Sequence, residues 1–343
     1  MYQRGGHFIM HSIQSKKNRQ VCHRATILLM GFLLPLSFCP LQAQNYPSKP
    51  IRIVVAFPPG GGTDIVARMI APRLGEALGT TVVVDNKAGA NGIVGTEIVA
   101  KSPADGYTLF MGTLGNLSAN TGLYGSKLPF NIEKDFAPLT QVVDAWFLQM
   151  THPALPVKNP RELIALAKSK PNGLYFYSSG SGGAPHLAAE MFNKMAGIQT
   201  VHVPYKGSAP GQIDLIAGEV QLGYDSVVQS LPFVQSKKLR ALSVLGTKRS
   251  SLLPEVPTMN EFLPGYFLTN WFGLVAPAAT PADIRHRLNA ELVKILRSAE
   301  LKDRFLALGA EPVGSTQEEF GRFMKSETAK WSQLIREAKI KAD

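Results

Sequence analysis

The spacing of apolar residues changes period several times along this chain. Ile51-Arg52-Ile53-Val54-Val55-Ala56-Phe57 is a β-branched apolar run that predicts a buried strand, stopped by Pro58-Pro59-Gly60-Gly61-Gly62. From Thr63 the spacing becomes helical, with Ile65, Val66, Met69, Ile70, Leu74 and Leu78 on one face; Pro72 predicts a kink and Gly79 the end. Strands follow at Thr81–Val84 and Tyr107–Met111, with a short helix near Ile93 to Ala100 between them. Leu139 to Met150 is a long extended run. Asn159-Pro160 then opens a second series, with proline suited to the first helical position. The pattern gives helix 160–169, strand 174–178, helix 184–196, strand 200–204, helix 209–217, strand 220–225, helix 226–236 and strand 239–245. Phe267 to Val275 is extended again. A helix opens at Thr280-Pro281-Ala282-Asp283, a capping signal, and another near Ser315-Thr316-Gln317-Glu318, which matches a capping box.

Two βα series imply mostly parallel, helix-covered sheets, and each opens with a strand, a Gly-rich turn and a helix. The fold class is α/β, in two lobes. Extended crossings near 139–150 and 267–276 form a double hinge. Lobe 1 is expected over 44–144 and 271–343, lobe 2 over 145–270, with the C-terminal helices packing back on lobe 1.

The amino terminus changes the picture of where the chain works. Residues 1–24 carry Arg4, Lys16, Lys17, Arg19 and Arg24 and no acidic residue, an apolar run extends from Ala25 to Phe38, and small and polar residues close the segment at Gln42-Ala43-Gln44. That order is a secretory signal over 1–43, cut after Ala43, and predicts a periplasmic protein. Pro35 and Pro40 interrupt the run, which is shorter than the ~20 residues a spanning helix needs. Met10 is an alternative start, and Leu41 is larger than a cleavage site prefers. Both cysteines, Cys22 and Cys39, fall in this leader; Phe38 stands where a lipidation box wants a small residue. Stability therefore comes from a packed core, not from disulfides. Removing 43 of 343 residues leaves 300, and removing the five leader cations takes the net charge from +11 to +6. No basic block interleaved with aromatics occurs, so nucleic acid is not an expected partner. His152, His186, His202 and His286 lack metal-ligand spacing, and neither a metal nor a cofactor is expected.

The candidate chemistry lies in two turns, Phe57-Pro58-Pro59-Gly60-Gly61-Gly62-Thr63-Asp64 and Tyr177-Ser178-Ser179-Gly180-Ser181-Gly182-Gly183-Ala184-Pro185-His186. Glycine lets a ligand approach the backbone closely. The N–H groups of a helix's first turn, with the helix dipole, favour an anion. Two such turns from two lobes can grip one carboxylate from both sides without an arginine; singly, each is also a plain tight corner. Neither is a P-loop or a full dinucleotide fingerprint. Asp64 is expected to fix the first turn by accepting backbone N–H groups. His186 either touches ligand or caps its helix, and His202 is structural. Asp225 either binds an amino or hydroxyl group on the ligand or caps the helix starting at Ser226.

These residues resemble the Bug family, the substrate-binding receptors of tripartite tricarboxylate transporters. The likeness covers nearly the whole mature chain and includes Tyr46-Pro47-Ser48-Lys49-Pro50-Ile51, Phe57-Pro58-Pro59-Gly60-Gly61 with Asp64 and Ala67-Arg68, and Asp85-Asn86 with Gly89-Ala90. It continues through Asp105-Gly106-Tyr107-Thr108-Leu109, Ser178-Ser179-Gly180 with His186-Leu187, Val203-Pro204-Tyr205-Lys206-Gly207, Asp214-Leu215, Gly218 and Asp225. The resemblance implies a two-lobed periplasmic binding protein, a type II-like clamshell whose two strand-turn-helix motifs hold a small carboxylate, partly through ordered water. It implies that Phe57, Pro58, Gly60, Gly61, Ser178, Ser179, Gly180 and Gly182 line the proximal end. Thr113, Asn116, Tyr205 and Asp225 are then the choices for the end that sets ligand identity. Asp85, Lys87-Ala88 and Tyr224 depart from the family's usual glutamate, arginine-proline and phenylalanine, which leaves the ligand of any one relative untransferred.

The implied partners are the transporter's large and small integral-membrane subunits, and a monomer is the simplest state. Two other functions compete with the transport receptor. One is a sensory module presenting ligand to a membrane partner. The other is a hydrolase on the same fold using His186 and Ser178; a nucleophile elbow is missing, since Ser179 stands where a glycine is needed.

Overall fold

The computed structural model describes residues 46–338 and 340–341. The expected leader, its cut after Ala43, and Cys22 and Cys39 lie outside the described residues.

The first βα series builds half of the sheet. Strand β1 (Ile51–Val55) pairs in parallel with β2 (Val82–Asn86) and β3 (Thr108–Thr113). Helix α1 (Gly62–Leu78) connects β1 to β2, and α2 (Ile93–Ala100) lies between β2 and β3. The face of α1 read from the sequence buries Val66, Met69, Ile70, Leu74 and Leu78, and Gly79 ends it in the left-handed conformation. Pro72 does not break it: the helix runs through Pro72, which sits on the exposed side. Two short helices, α3 (Asn120–Tyr124) and α4 (Ile132–Asp135), then lead to β4 (Phe136–Thr151).

Strand β4 joins the two halves. Along Phe136–Trp146 it is antiparallel to β9 (Thr269–Pro277), which lies between β4 and β3. Along Phe147–Thr151 it is antiparallel to β7 (Leu222–Ser226). Strands β5 (Tyr175–Ser178) and β6 (Val201–Pro204) complete the second half in parallel with β7, giving the order β2-β1-β3-β9-β4-β7-β5-β6. Strands β8 (Arg240–Val244) and β10 (Ala310–Pro312) pair with β4 outside this path. The long extended runs near 139–150 and 267–276 are thus the two crossings between halves.

The connecting helices of the second half are α5 (Pro160–Ser169), α6 (Ala184–Ala196), α7 (Ser208–Ala217) and α8 (Val227–Gln235), within a residue or two of the pattern. Asn159 caps α5 by accepting the Glu162 N–H at 3.0 Å. The C-terminal helices are α9 (Ala282–Leu296), α10 (Ala299–Ala307) and α11 (Gln317–Ala338). Two capping details differ from expectation. Helix α9 starts as read, but Pro281 is its N-cap and the Thr280 hydroxyl donates back to Pro277 O instead. The box of α11 falls one residue later, with Thr316 and Glu319 exchanging hydrogen bonds, because Ser315 Oγ accepts the Gln141 N–H. Helices α9 and α10 pack on the first half; α11 also reaches α6, where Lys194 Nζ donates to Glu337 O. Buried Phe320, Met324, Trp331 and Ile335 form the inward face of α11.

Candidate ligand-binding cleft

The parallel strands of both halves end at one crevice, where open α/β sheets bind ligands. Its wall from the first half comprises Phe57, Gly61, Gly62, Thr63, Thr113, Asn270 and Phe272. Phe147, Ser179, Ala184, Pro185, Ser208, Asp225, Ser226 and Gln229 form the wall from the second. The halves touch across it and the free volume is small, about 40 Å³. A Cβ on Gly207 would lie 2.4 Å from Pro58 Cδ, and one on Gly183 would lie 3.0 Å from Asn91 Oδ1. Tyr124 donates to Ser181 O at 3.1 Å.

The first turn is held by its own helix. Asp64 is buried, accepting the Gly60 N–H at 3.0 Å, Arg68 Nε at 2.9 Å and Asn86 Nδ2 at 2.9 Å. Burial works to raise its pKa, but these donors prevail and hold the carboxyl below its ordinary value. This is the supporting role expected of Asp64. Gly61 is the N-cap of α1 without side-chain help, so the first N–H groups of the helix face the cleft. One is taken: Gly62 donates to Gln229 Oε1 at 2.7 Å.

The second turn is tied from behind. Ser178 Oγ, fully buried, accepts the Gly180 N–H at 3.0 Å and lies 2.6 Å from His202 Nε2. His186 Nδ1 accepts the Gly182 N–H at 3.0 Å, and its ring stacks on His202 with centroids 4.1 Å apart. Of the expected site residues, Phe57, Gly61, Thr113, Ser179 and Asp225 reach the cleft wall together. Pro58, Gly60, Ser178, Gly180, Gly182 and His186 belong to the turns and shape them from outside that wall. Asn116 lies beneath it, accepting the Thr113 N–H at 2.6 Å. The Tyr205 hydroxyl donates to Asp214 at 2.6 Å, and burial with that carboxylate pushes its pKa up to about 12.

The sequence pointed to two helix starts; the structure brings four. Besides α1 and α6, the first residue of α7, Ser208, and the N-cap of α8, Ser226, line the crevice. Asp225 precedes that cap, accepting the Ser226 N–H at 2.7 Å and the Tyr177 hydroxyl at 3.1 Å. Burial pushes the Asp225 carboxyl up to about 6, against the pull of Ser208, Ser226, Tyr177 and Gln229. Among the described residues no lysine, arginine or histidine side chain lines the cleft. Positive potential there comes from helix ends and neutral donors, an arrangement that receives an anion. Phe147, Asn270, Phe272 and Gln229 were not signalled: the first three lie on the crossing strands, whose cleft-facing side depends on how β9 seats against β4, and Gln229 acts on a residue 167 positions away.

A two-lobed α/β chain with its cleft framed in this way has the fold of a solute-binding protein. Residues 66–340 match the tripartite tricarboxylate transporter family receptor, and the chain belongs to that family. BugT of Bordetella pertussis is 37% identical over 306 residues, 88% of this chain and 94% of that one. The solved structure of R. palustris Rpa4515 with adipate is 35% identical with a TM-score of 0.84, covering 87% of this chain and all of the other. The periplasmic binding protein BugD is 32% identical, also with a TM-score of 0.84 and the same coverage.

Proposed function

We propose that this protein captures a small carboxylate between its lobes and delivers it to the integral-membrane subunits of a tripartite tricarboxylate-type transporter. The observation that carries this reading is the convergence of four helix N-termini, from both halves of the sheet, on a cleft that among the described residues no side-chain cation lines. The lobes are residues 44–144 with 271–343, and 145–270. The protein works as a monomer in the periplasm, exported through a leader cut after Ala43. An adipate-bound relative supports the ligand class. Closure is the mechanism: ligand stabilises the form in which both lobes touch it.

The protein does not turn its ligand over. The residues of the hydrolase reading are engaged elsewhere: Ser178 Oγ is fully buried beside His202, and His186 Nδ1 accepts from Gly182. Among the described residues no helix is long and apolar enough to cross a membrane.

The test is calorimetric titration with small carboxylic acids and their neutral amides. An acid is expected to bind and its amide to fail. Without side-chain cations at the cleft, the acid's affinity is expected to change less than ~3-fold between about 20 and about 500 mM salt. Equal binding of acid and amide contradicts the reading.

A further inference from the structure

We propose that Asn270 is a specificity-determining residue of the cleft, one that selects carboxylates carrying a hydroxyl group: the helix ends hold the carboxylate and the Asn270 side-chain amide takes the hydroxyl. This rests on the receptor reading above and narrows its ligand class. Asn270 stands on β9, the crossing strand between β3 and β4, opposite Ala145 and two residues before Phe272. Strand alternation turns Asn270 and Phe272 to one side, and both line the cleft with Phe147. Asn270 is 7% exposed, and its Oδ1 is buried without a hydrogen-bond partner. Other polar side chains of the wall are engaged. Thr113 Oγ1 donates to Asn116 Oδ1 at 3.2 Å, and Ser226 Oγ accepts the Val228 N–H at 3.3 Å. Asp225 accepts from Ser226 and Tyr177, and Gln229 holds Gly62. Asparagine is poorly suited to a strand, and its amide is costly to bury unpaired. The apolar side chains of Ala145, Phe147 and Phe272 give it nothing to bond, and with the walls so close a group carried in by the ligand is what fills the need. A hydroxyl satisfies the amide whichever way it is turned, donating to Oδ1 or accepting from Nδ2. An ammonium serves one orientation only, and a methylene neither.

Paired titrations of the exported protein read the effect: malate against succinate, 2-hydroxyadipate against adipate, lactate against propionate, citrate against tricarballylate, and mandelate against phenylacetate. In the pair that binds best, the hydroxy acid is expected to bind at least ~10-fold more tightly than its plain counterpart. Asn270→Leu replaces the amide with an apolar side chain of similar size. Without ligand it is expected to melt at or above the wild-type temperature, since an unpaired buried amide is removed. It is expected to bind the plain acid within ~3-fold of wild type and to bring the preference below ~2-fold. Asn270→Ala, which adds no bulk, is expected to lose the same preference. A preference that survives in both variants overturns the proposal and leaves the receptor reading intact, as does a loss of both acids alike. Wild-type binding of hydroxy and plain acids within ~2-fold, or of other carboxylates but no hydroxy acid, does the same. A wild type that binds none of a broad panel of carboxylates overturns both.

Discussion

Gly61→Val is expected to abolish ligand capture while leaving the fold standing. Gly61 has φ −77° and ψ 162°, an extended conformation that valine adopts readily. A Cβ there would lie 3.6 Å from Gln229 Oε1 and 3.8 Å from Pro58 O, ordinary contact distances. The two methyl groups beyond it enter a cleft of about 40 Å³ and cover the N–H groups of α1. The expected result is a melting temperature within ~2 °C of wild type and at least a ~100-fold loss of affinity, about 2.8 kcal/mol. Other glycines of the turns serve less well as probes. Gly60 and Gly182 both have φ of +86°, where any side chain strains the backbone, and a Cβ on Gly182 would lie 2.3 Å from Leu123 Cδ2. Substitutions there lower stability and confound the reading. Affinity within ~3-fold of wild type in Gly61→Val would remove the first turn from the site.

The second large effect is on stability. Asp144 lies on the first-half segment of β4, close to where the strand passes into the second half, with its Oδ1 accepting Gln141 Nε2 at 2.8 Å. Burial, then Glu311 opposite on β10 and Glu327 on α11, push its carboxyl up to about 6. The nearby cations are engaged with those glutamates, Lys248 with Glu311 at 3.7 Å and Lys330 with Glu327 at 3.3 Å. The folded pKa is above the unfolded one, so the folded state binds the proton more tightly. The associated stability is complete below the ordinary pKa of about 4 and is lost as pH rises through about 6. Asparagine keeps the acceptor for Gln141 and carries no charge. Asp144→Asn is therefore expected to gain ~2 kcal/mol at pH 7.5, a rise of several degrees in Tm, and almost nothing at pH 4. Urea unfolding at the two pH values checks it; an equal gain at both, or a loss at pH 7.5, would show that the charge at Asp144 is not destabilising.

Much of the architecture is legible in the sequence because local periodicity and caps agree with the tertiary fold. Asn159 before Pro160 marks the start of α5, and the bounds 160–169 and 184–196 coincide with α5 and α6. The run from Leu139 to Met150 shows a long strand, but its role as the link between the halves depends on where β9 and β7 seat against it. β10, three residues long, is too short to leave a periodic signal. At the site, glycine turns after strands are visible because their composition is unusual. Ser208 and Ser226 open helices without such a signature, and they reach the cleft because β6 and β7 end beside β5. Gln229 looks like any polar residue on a helix until Gly62 is brought against it. Tyr205 and Asn116 show the converse. The Tyr205 hydroxyl hydrogen-bonds Asp214, and Asn116 Oδ1 accepts the Thr113 N–H beneath the cleft wall.

The central claim, that one carboxylate is held by helix ends from both halves of the sheet, is tested most directly by amide NMR during titration with the acid that binds. The Thr63 and Ala184 resonances report the starts of α1 and α6, both at the cleft wall. The account predicts that both shift along one saturation curve with a single dissociation constant, and that the neutral amide of the acid moves neither. Shifts confined to one turn, or two curves with different midpoints, would contradict it.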